Sequence, residues 1–222
     1  MTIAYLERRE VVPYGEALAE MAELAAARTQ AAIPDTVMVL EHEPVITLGS
    51  RADAAQELTL PREEYARRGI EVVEVGRGGR STYHGPGQLV CYPILGLSSR
   101  GRDLRRYVRG LEEAICATLA DLGVEGHTVD GPHASGVWIG ERKIASIGVR
   151  CARWVTSHGL SLNVDLDLSV YELFDACGLG ARFTSVAAET GRPVTVDEAR
   201  EPLLTHLAEA FDLQYSELPA VV

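Results

Sequence analysis

Lysine is almost missing from this sequence. Of its 21 basic residues, 20 are Arg and one is Lys, at position 143. A general bias toward Arg explains most of such a skew, so the count alone assigns nothing. It raises the question of what position 143 needs that Arg cannot give. Arg keeps its charge at any working pH, whereas a Lys amine withdrawn from water can give up a proton. Cysteine is scarce as well: the four residues, at 91, 116, 151 and 177, form no Cys-x-x-Cys pair. That argues against a structural zinc site and a disulfide scaffold. Reduced thiols in a cytosolic chain are the natural expectation. Long apolar runs are absent, and nothing approaches the roughly 18 residues of a membrane span. The opening MTIAYLERREVV carries no apolar signal core. Basic charge is short overall, with a net charge of -11 over 222 residues, which makes a poor nucleic-acid binder.

What is present suits one globular domain. Hydrophobic residues make up 46% and charged residues 24%, ordinary for a protein with a real core. No repeat or linker divides the chain, so residues 1–222 are expected to form one domain. Residues 2–10 read as a first strand, and Pro13 opens an Ala- and Glu-rich helix from Tyr14 to about Ile33. Strand-length apolar runs follow at 36–41, 44–49, 71–76 and 88–95, with a short helix after Pro61. Leu104, Val108, Leu111, Ile115, Leu119 and Leu122 recur at helical spacing, and Gly123 ends that run. Residues 134–164 have strand character, with 138–144 a hairpin. A last amphipathic helix runs from about Val196 to Phe211. Strands in consecutive runs, as well as between helices, predict an α+β fold with a mixed or antiparallel sheet flanked by helices.

Three segments have the composition of a reactive site. The first, Gly76 to Gln88, holds five glycines in 13 residues, with Arg77, Arg80 and His84 among them. Glycines let backbone approach a ligand and expose N–H donors. The segment is either a Gly-rich turn or a loop for a carbonyl, carboxylate or phosphate. It lacks the Gly-Lys-Ser/Thr of a phosphate-binding loop and the following helix of a dinucleotide fingerprint.

The second segment runs from Gly136 to Val149. Period-two alternation places Lys143 on an apolar strand face with Ala145 and Ile147, opposite Ile144, Ser146 and Gly148. There it is either a proton-exchanging amine or an ordinary Lys near a turn. The third is Asp175-Ala176-Cys177-Gly178, whose thiol sits in a short loop while Cys91 and Cys116 read as core. A thiolate needs a nearby base or cation, and His84, His158 and Lys143 are the available partners. Arg100, Arg102, Arg105, Arg106 and Arg109 form a basic cluster on this acidic chain. It is either a solvated helix face or a patch for an acidic partner.

Together these segments resemble the lipoyl(octanoyl) transferases. The resemblance rests on Arg77-Gly78-Gly79-x-x-Thr82-x-His84-Gly85-Pro86-Gly87-Gln88, on Gly136-x-Trp138 with Lys143-Ile144-Ala145, and on Cys177-Gly178. One departure is Ala176, where the family often has Pro. The resemblance implies a biotin/lipoate protein ligase-like fold. It also implies transfer of an octanoyl group from octanoyl-acyl carrier protein to a lysine of lipoyl domains, those of 2-oxoacid dehydrogenase complexes and of the glycine cleavage H protein. Carried over by position, Cys177 is the acyl-accepting nucleophile and Lys143 its partner. The substrate-binding stretches are Arg77, Gly78, Gly79, Arg80, Ser81, Thr82, Tyr83 and His84; Ser146, Ile147 and Gly148; and Gly159, Leu160 and Ser161. No metal or other cofactor is implied, and a cytoplasmic monomer is expected. The alternative is an ATP-dependent lipoate or biotin protein ligase, which shares the fold and the first motif but needs no Cys nucleophile.

Overall fold

A computed structural model describes residues 2–51, 53–129, 131, 135–176 and 182–217. The chain opens with β1 (Thr2–Val12) and α1 (Tyr14–Thr29), followed by β2 (Asp35–His42) and β3 (Val45–Leu48). Next come α2 (Arg62–Arg67), β4 (Glu71–Glu74), β5 (Ser81–His84), β6 (Gln88–Ile94) and α3 (Leu104–Asp121). A three-strand run, β7 (Gly136–Ile139), β8 (Arg142–Ala152) and β9 (Val155–Asn163), leads to β10 (Arg182–Phe183). The described chain closes with α4 (Val186–Thr190), α5 (Val196–Phe211) and β11 (Leu213–Glu217).

The main sheet has the order β10-β8-β9-β6-β2-β1-β11, with β7 also paired to β8. It is mixed: β1 runs parallel to β2 and β11, while β2, β6, β9 and β8 are successively antiparallel. This is the α+β architecture the strand runs predict. A second sheet, β4-β3-β5, was not foreseen. Its third strand, β5, lies inside the Gly-rich segment and is wholly buried. That segment is therefore a loop at 76–80, a strand, and a turn, rather than one continuous loop.

Alternation sorts the main sheet into two layers. Val37, Val39, Leu89, Cys91, Leu160 and Leu162 face α3 and α5, meeting Leu111, Ile115 and Leu207. Met38, Leu40, Val90 and Ile94 face the other way, against Ala17 and Met21 of α1. Asp103 caps α3 by accepting from the Arg105 and Arg106 N–H groups, and Thr195 with Glu198 forms a capping box on α5. Helix α1 stops at Thr29, short of Ile33. Pro34 disfavours helical backbone at Ile33, and Ala31 has already turned left-handed at φ 56°. In α3, Leu111, Ile115 and Leu119 enter the core. Leu104 of the same predicted stripe is 37% exposed.

Candidate active site

One cavity of about 320 Å³ brings the sequence segments together. Arg77, Gly78, Gly79, Arg80, Ser81, Thr82 and His84 form one wall. Lys143, Ser146, Ile147 and Gly148 of β8, with Gly159, Leu160 and Ser161 of β9, form another. Tyr83 does not join them. Strand alternation turns it into the cluster under the small sheet, with Ile46 and Phe174 and edge-on to Tyr171. The two walls are stitched by backbone: the Gly78 N–H donates to the Val149 carbonyl at 2.9 Å. Side chain is missing where the walls approach most closely. A Cβ on Gly148 would stand 3.0 Å from Arg77 Cδ.

Lys143 reaches this cavity by a change of face. Trp138 pairs with Lys143 and Val137 with Ala145, so Ile144 has no partner across β7. The bulge interrupts alternation. Ile144 and Ala145 enter the core while Lys143 lines the cavity with Ser146 and Gly148. The sequence expectation grouped Lys143 with Ala145 and Ile147; the bulge corrects it. Lys143 is 2% exposed, and its Nζ lies 5.3 Å from the centroid of the Trp138 ring, within cation–π range. Gly136, at φ 134°, runs beside the stem; a Cβ there would collide with the Ala145 carbonyl oxygen and meet Lys143 Cε at 2.9 Å.

Cys177 and Gly178 lie outside the described residues. The chain on either side of them is fixed. The Asp175 N–H donates to the Glu57 carbonyl at 2.9 Å, and Ala176 is buried. On the far side Phe183 is paired with Lys143 in parallel register, and the Thr184 N–H donates to the Lys143 carbonyl at 3.0 Å.

Aromatic and imidazole rings form a further group that sequence reasoning largely missed. Tyr14, His84, Tyr92 and His158 line the cavity, and the buried His42 lies among them. His84 stacks nearly parallel to Tyr14 at 6.1 Å and tilts against His42 at 5.6 Å. Hydrogen bonds fix the protons. His42 Nδ1 faces the Val12 carbonyl at 3.1 Å and must donate, leaving Nε2 to accept from the Tyr92 hydroxyl at 2.7 Å. Gln88 donates its amide to Asn163 Oδ1 (2.9 Å) and the Tyr83 carbonyl, so its Oε1 accepts from His84 Nδ1 at 2.7 Å. All three imidazoles are held neutral. Burial pushes His42 down to about 4. Burial, then the charges of Arg77 and Arg150, pushes His158 down to about 4. Burial, with neighbouring His42, sets His84 well below the usual range. Burial raises Tyr14 to about 12. His158 also carries a left-handed φ of 55° within β9, a conformation that costs energy and clusters at functional sites.

The two arginines of the first motif differ in role. Arg80 pairs with Asp53 and with the buried Glu57, at 2.8 Å for the latter. Glu57 also accepts from the Ser81 N–H at 2.9 Å. This cluster holds the loop. The Arg77 guanidinium donates to the Thr47 carbonyl at 2.8 Å and to the Gly78 carbonyl at 3.1 Å. Its positive charge is felt at Tyr14, His84, Tyr92 and His158. The cavity thus combines a fixed cation, neutral rings and one buried amine. No cluster of three or more His, Cys, Asp or Glu suited to a metal occurs among the described residues, and no helix among them is long and apolar enough to cross a membrane.

The fold is that of the lipoate and biotin protein ligases. Over 99% of this chain and 90% of the other, it is similar to lipoate-protein ligase A bound with ATP (TM-score 0.78, 18% identity). The biotin protein ligase from Aquifex aeolicus is similar over 95% of this chain and 70% of its own (TM-score 0.58, 15% identity). Sequence is more specific. A family model of the lipoyl protein ligase A/B catalytic domain matches residues 13–208. An octanoyltransferase from Solibacter usitatus is 46% identical over 91% of this chain and 90% of its own length. One from Roseiflexus sp. is 44% identical over 96% and 87%. The chain belongs to the octanoyltransferase family.

Proposed function

We propose that this chain moves an octanoyl group from octanoyl-acyl carrier protein to a lysine of lipoyl domains, through a thioester on Cys177. The acceptors are the lipoyl domains of 2-oxoacid dehydrogenase complexes and the glycine cleavage H protein. The observation that carries the reading is the buried amine of Lys143, facing the cavity walled by the motif residues. In the first half-reaction the Lys143 amine takes the Cys177 Sγ proton, and the thiolate attacks the thioester carbonyl. The carbon–sulfur bond to the carrier breaks, and the leaving thiolate takes the proton from Lys143. In the second, the acceptor lysine amine attacks the octanoyl-Cys177 carbonyl. The amide forms, its proton passes through Lys143, and the Cys177 thiol is restored. N–H groups of the Gly-rich loop are suited to the tetrahedral oxyanion. The apolar part of the cavity, including Leu104, Val108, Ile147 and Leu160, suits an alkyl chain, each buried methylene contributing about 0.8 kcal/mol.

The thioester arrives activated, so no nucleotide enters the scheme. The reading places the enzyme in the cytoplasm as a monomer, with residues 1–222 as one octanoyltransferase domain. The ATP-dependent ligase is the rival, and octanoyltransferase relatives at 44–46% identity favour transfer over ligation. The test is transfer from octanoyl-acyl carrier protein to an isolated lipoyl domain in nucleotide-free buffer. Turnover without ATP, not raised by adding ATP and Mg²⁺, is expected. Turnover from free octanoate that requires ATP would make the chain a ligase.

A further inference from the structure

The arginines of the α3 segment fall into two groups. Arg100 is structural: it pairs with the fully buried Asp35 at 2.8 Å and donates to the Phe211 carbonyl at 3.2 Å. Arg102, Arg105, Arg106 and Arg109 are exposed. Their side chains make no ion pair or hydrogen bond among the described residues. Several other surface arginines are partnered: Arg62 with Glu74, Arg68 with Glu64, Arg142 with Glu189 and Arg192 with Glu198; exposed Arg150, Arg153 and Arg182 are scattered, whereas the four here lie within eight residues of one another. Two of the four are also placed against helix electrostatics. The first turn of a helix favours acidic residues, and α3 has none there, while Arg105 and Arg106 occupy it. Nothing in the packing of α3 calls for these charges.

Their location supplies a use. Leu104, 37% exposed, and Val108 line the cavity. Arg105 follows Leu104 directly, and Arg109 lies one helical turn beyond Arg105 on the same face. A set of unpartnered cations therefore borders the cavity rim on a chain whose net charge is -11.

We propose that the N-terminal half of α3 is the docking surface for the acidic protein that delivers the acyl thioester, with Arg105 and Arg109 as its principal contacts. This rests on the transferase reading above. Without a local basic patch, the net charge of the chain would repel an acidic donor. Chemistry selects the donor over the acceptor. The acceptor brings a lysine, protonated in water, which the arginines repel; an acyl thioester is neutral at its reacting end.

The experiment compares two donors with the double variant Arg105→Glu/Arg109→Glu. With octanoyl-acyl carrier protein at low salt, KM should rise by about tenfold or more, and its salt dependence should flatten. With octanoyl-pantetheine, which has no protein surface, kcat/KM should match wild type. The single variant Arg109→Gln should shift the carrier KM less, in the same direction. An unchanged carrier KM overturns the docking surface alone, as does a rise in KM for the lipoyl domain in place of the carrier. If wild type uses neither donor, the transferase reading fails, and the docking surface fails with it.

Discussion

At the scale of single residues, the cavity sets three neutral imidazoles beside one buried amine. His42, His84 and His158 are neutral because burial outweighs every other influence on them. This neutrality affects stability. In the unfolded chain these imidazoles titrate near 6.5; folded, His42 and His158 do so at about 4. Between those values the unfolded state binds more protons, so acid favours unfolding. The stability from their neutrality is present above about pH 6.5 and is lost as pH falls toward 4. By pH 5 the loss should be on the order of 2 kcal/mol for each of the two. Urea unfolding at pH 7 and pH 5 measures it, and equal unfolding free energies at the two values would contradict the assignment. The one lysine is another matter. In sequence it is a compositional oddity that bias can explain. In the structure it is 2% exposed and lines the motif cavity, a place where another Arg would carry its charge permanently.

At the scale of elements, the bulge on β8 matters most. Strict alternation would send Lys143 into the hydrophobic core with Ala145; the skipped partner at Ile144 sends it to the cavity. Gly136, at φ 134°, has room for no side chain: a Cβ would collide first with the Ala145 carbonyl oxygen and then meet Lys143 Cε at 2.9 Å. Gly136→Ala should therefore cost at least about 1–3 kcal/mol in backbone strain, push β7 away from Ala145 of β8 and displace the amine as well. Activity should fall by more than the loss of folded protein explains, read as kcat against Tm. Full kcat at a lowered Tm would mean that Gly136 serves the backbone alone. The sequence shows why this part was hard to read. Alternation identifies both faces of a strand, but a bulge depends on pairing with β7, which no local pattern records. For the same reason β5 hides inside a Gly-rich segment and β10 in two residues. Helix α5, whose apolar period is local, is legible at about 196–211 and is found at Val196–Phe211. The wall residues of 77–84, 146–148 and 159–161 came from the family resemblance; only Tyr83 points elsewhere. Tyr14, His42 and Tyr92 were missed because their role arises from three separate elements meeting.

At the scale of the whole molecule, a mixed sheet separates an α3/α5 core from an α1 layer and carries the cavity beside a second, small sheet. The fold is shared with ligases that bind ATP or biotin, so architecture alone does not choose the chemistry. The proposed chemistry would distinguish this chain by pairing the Cys177 thiol with the Lys143 amine; the described residues flanking Cys177 are tied to Glu57 and Lys143. The scarcity of lysine then has a consequence. On the proposed mechanism, a protein holding an acyl thioester for delivery to a lysine would have no other ε-amine of its own to capture the acyl group. On the proposed mechanism, Cys177 carries the acyl group and Lys143 moves its proton. Intact-mass spectrometry after brief mixing with octanoyl-acyl carrier protein, without ATP, tests it directly. Wild type should gain one octanoyl group on Cys177 and Cys177→Ser none. Lys143→Arg, which keeps the charge and removes the proton exchange, should acylate at least about 100-fold more slowly. Acylation of Lys143→Arg at the wild-type rate, or full transfer by Cys177→Ser, would remove those roles from the two residues.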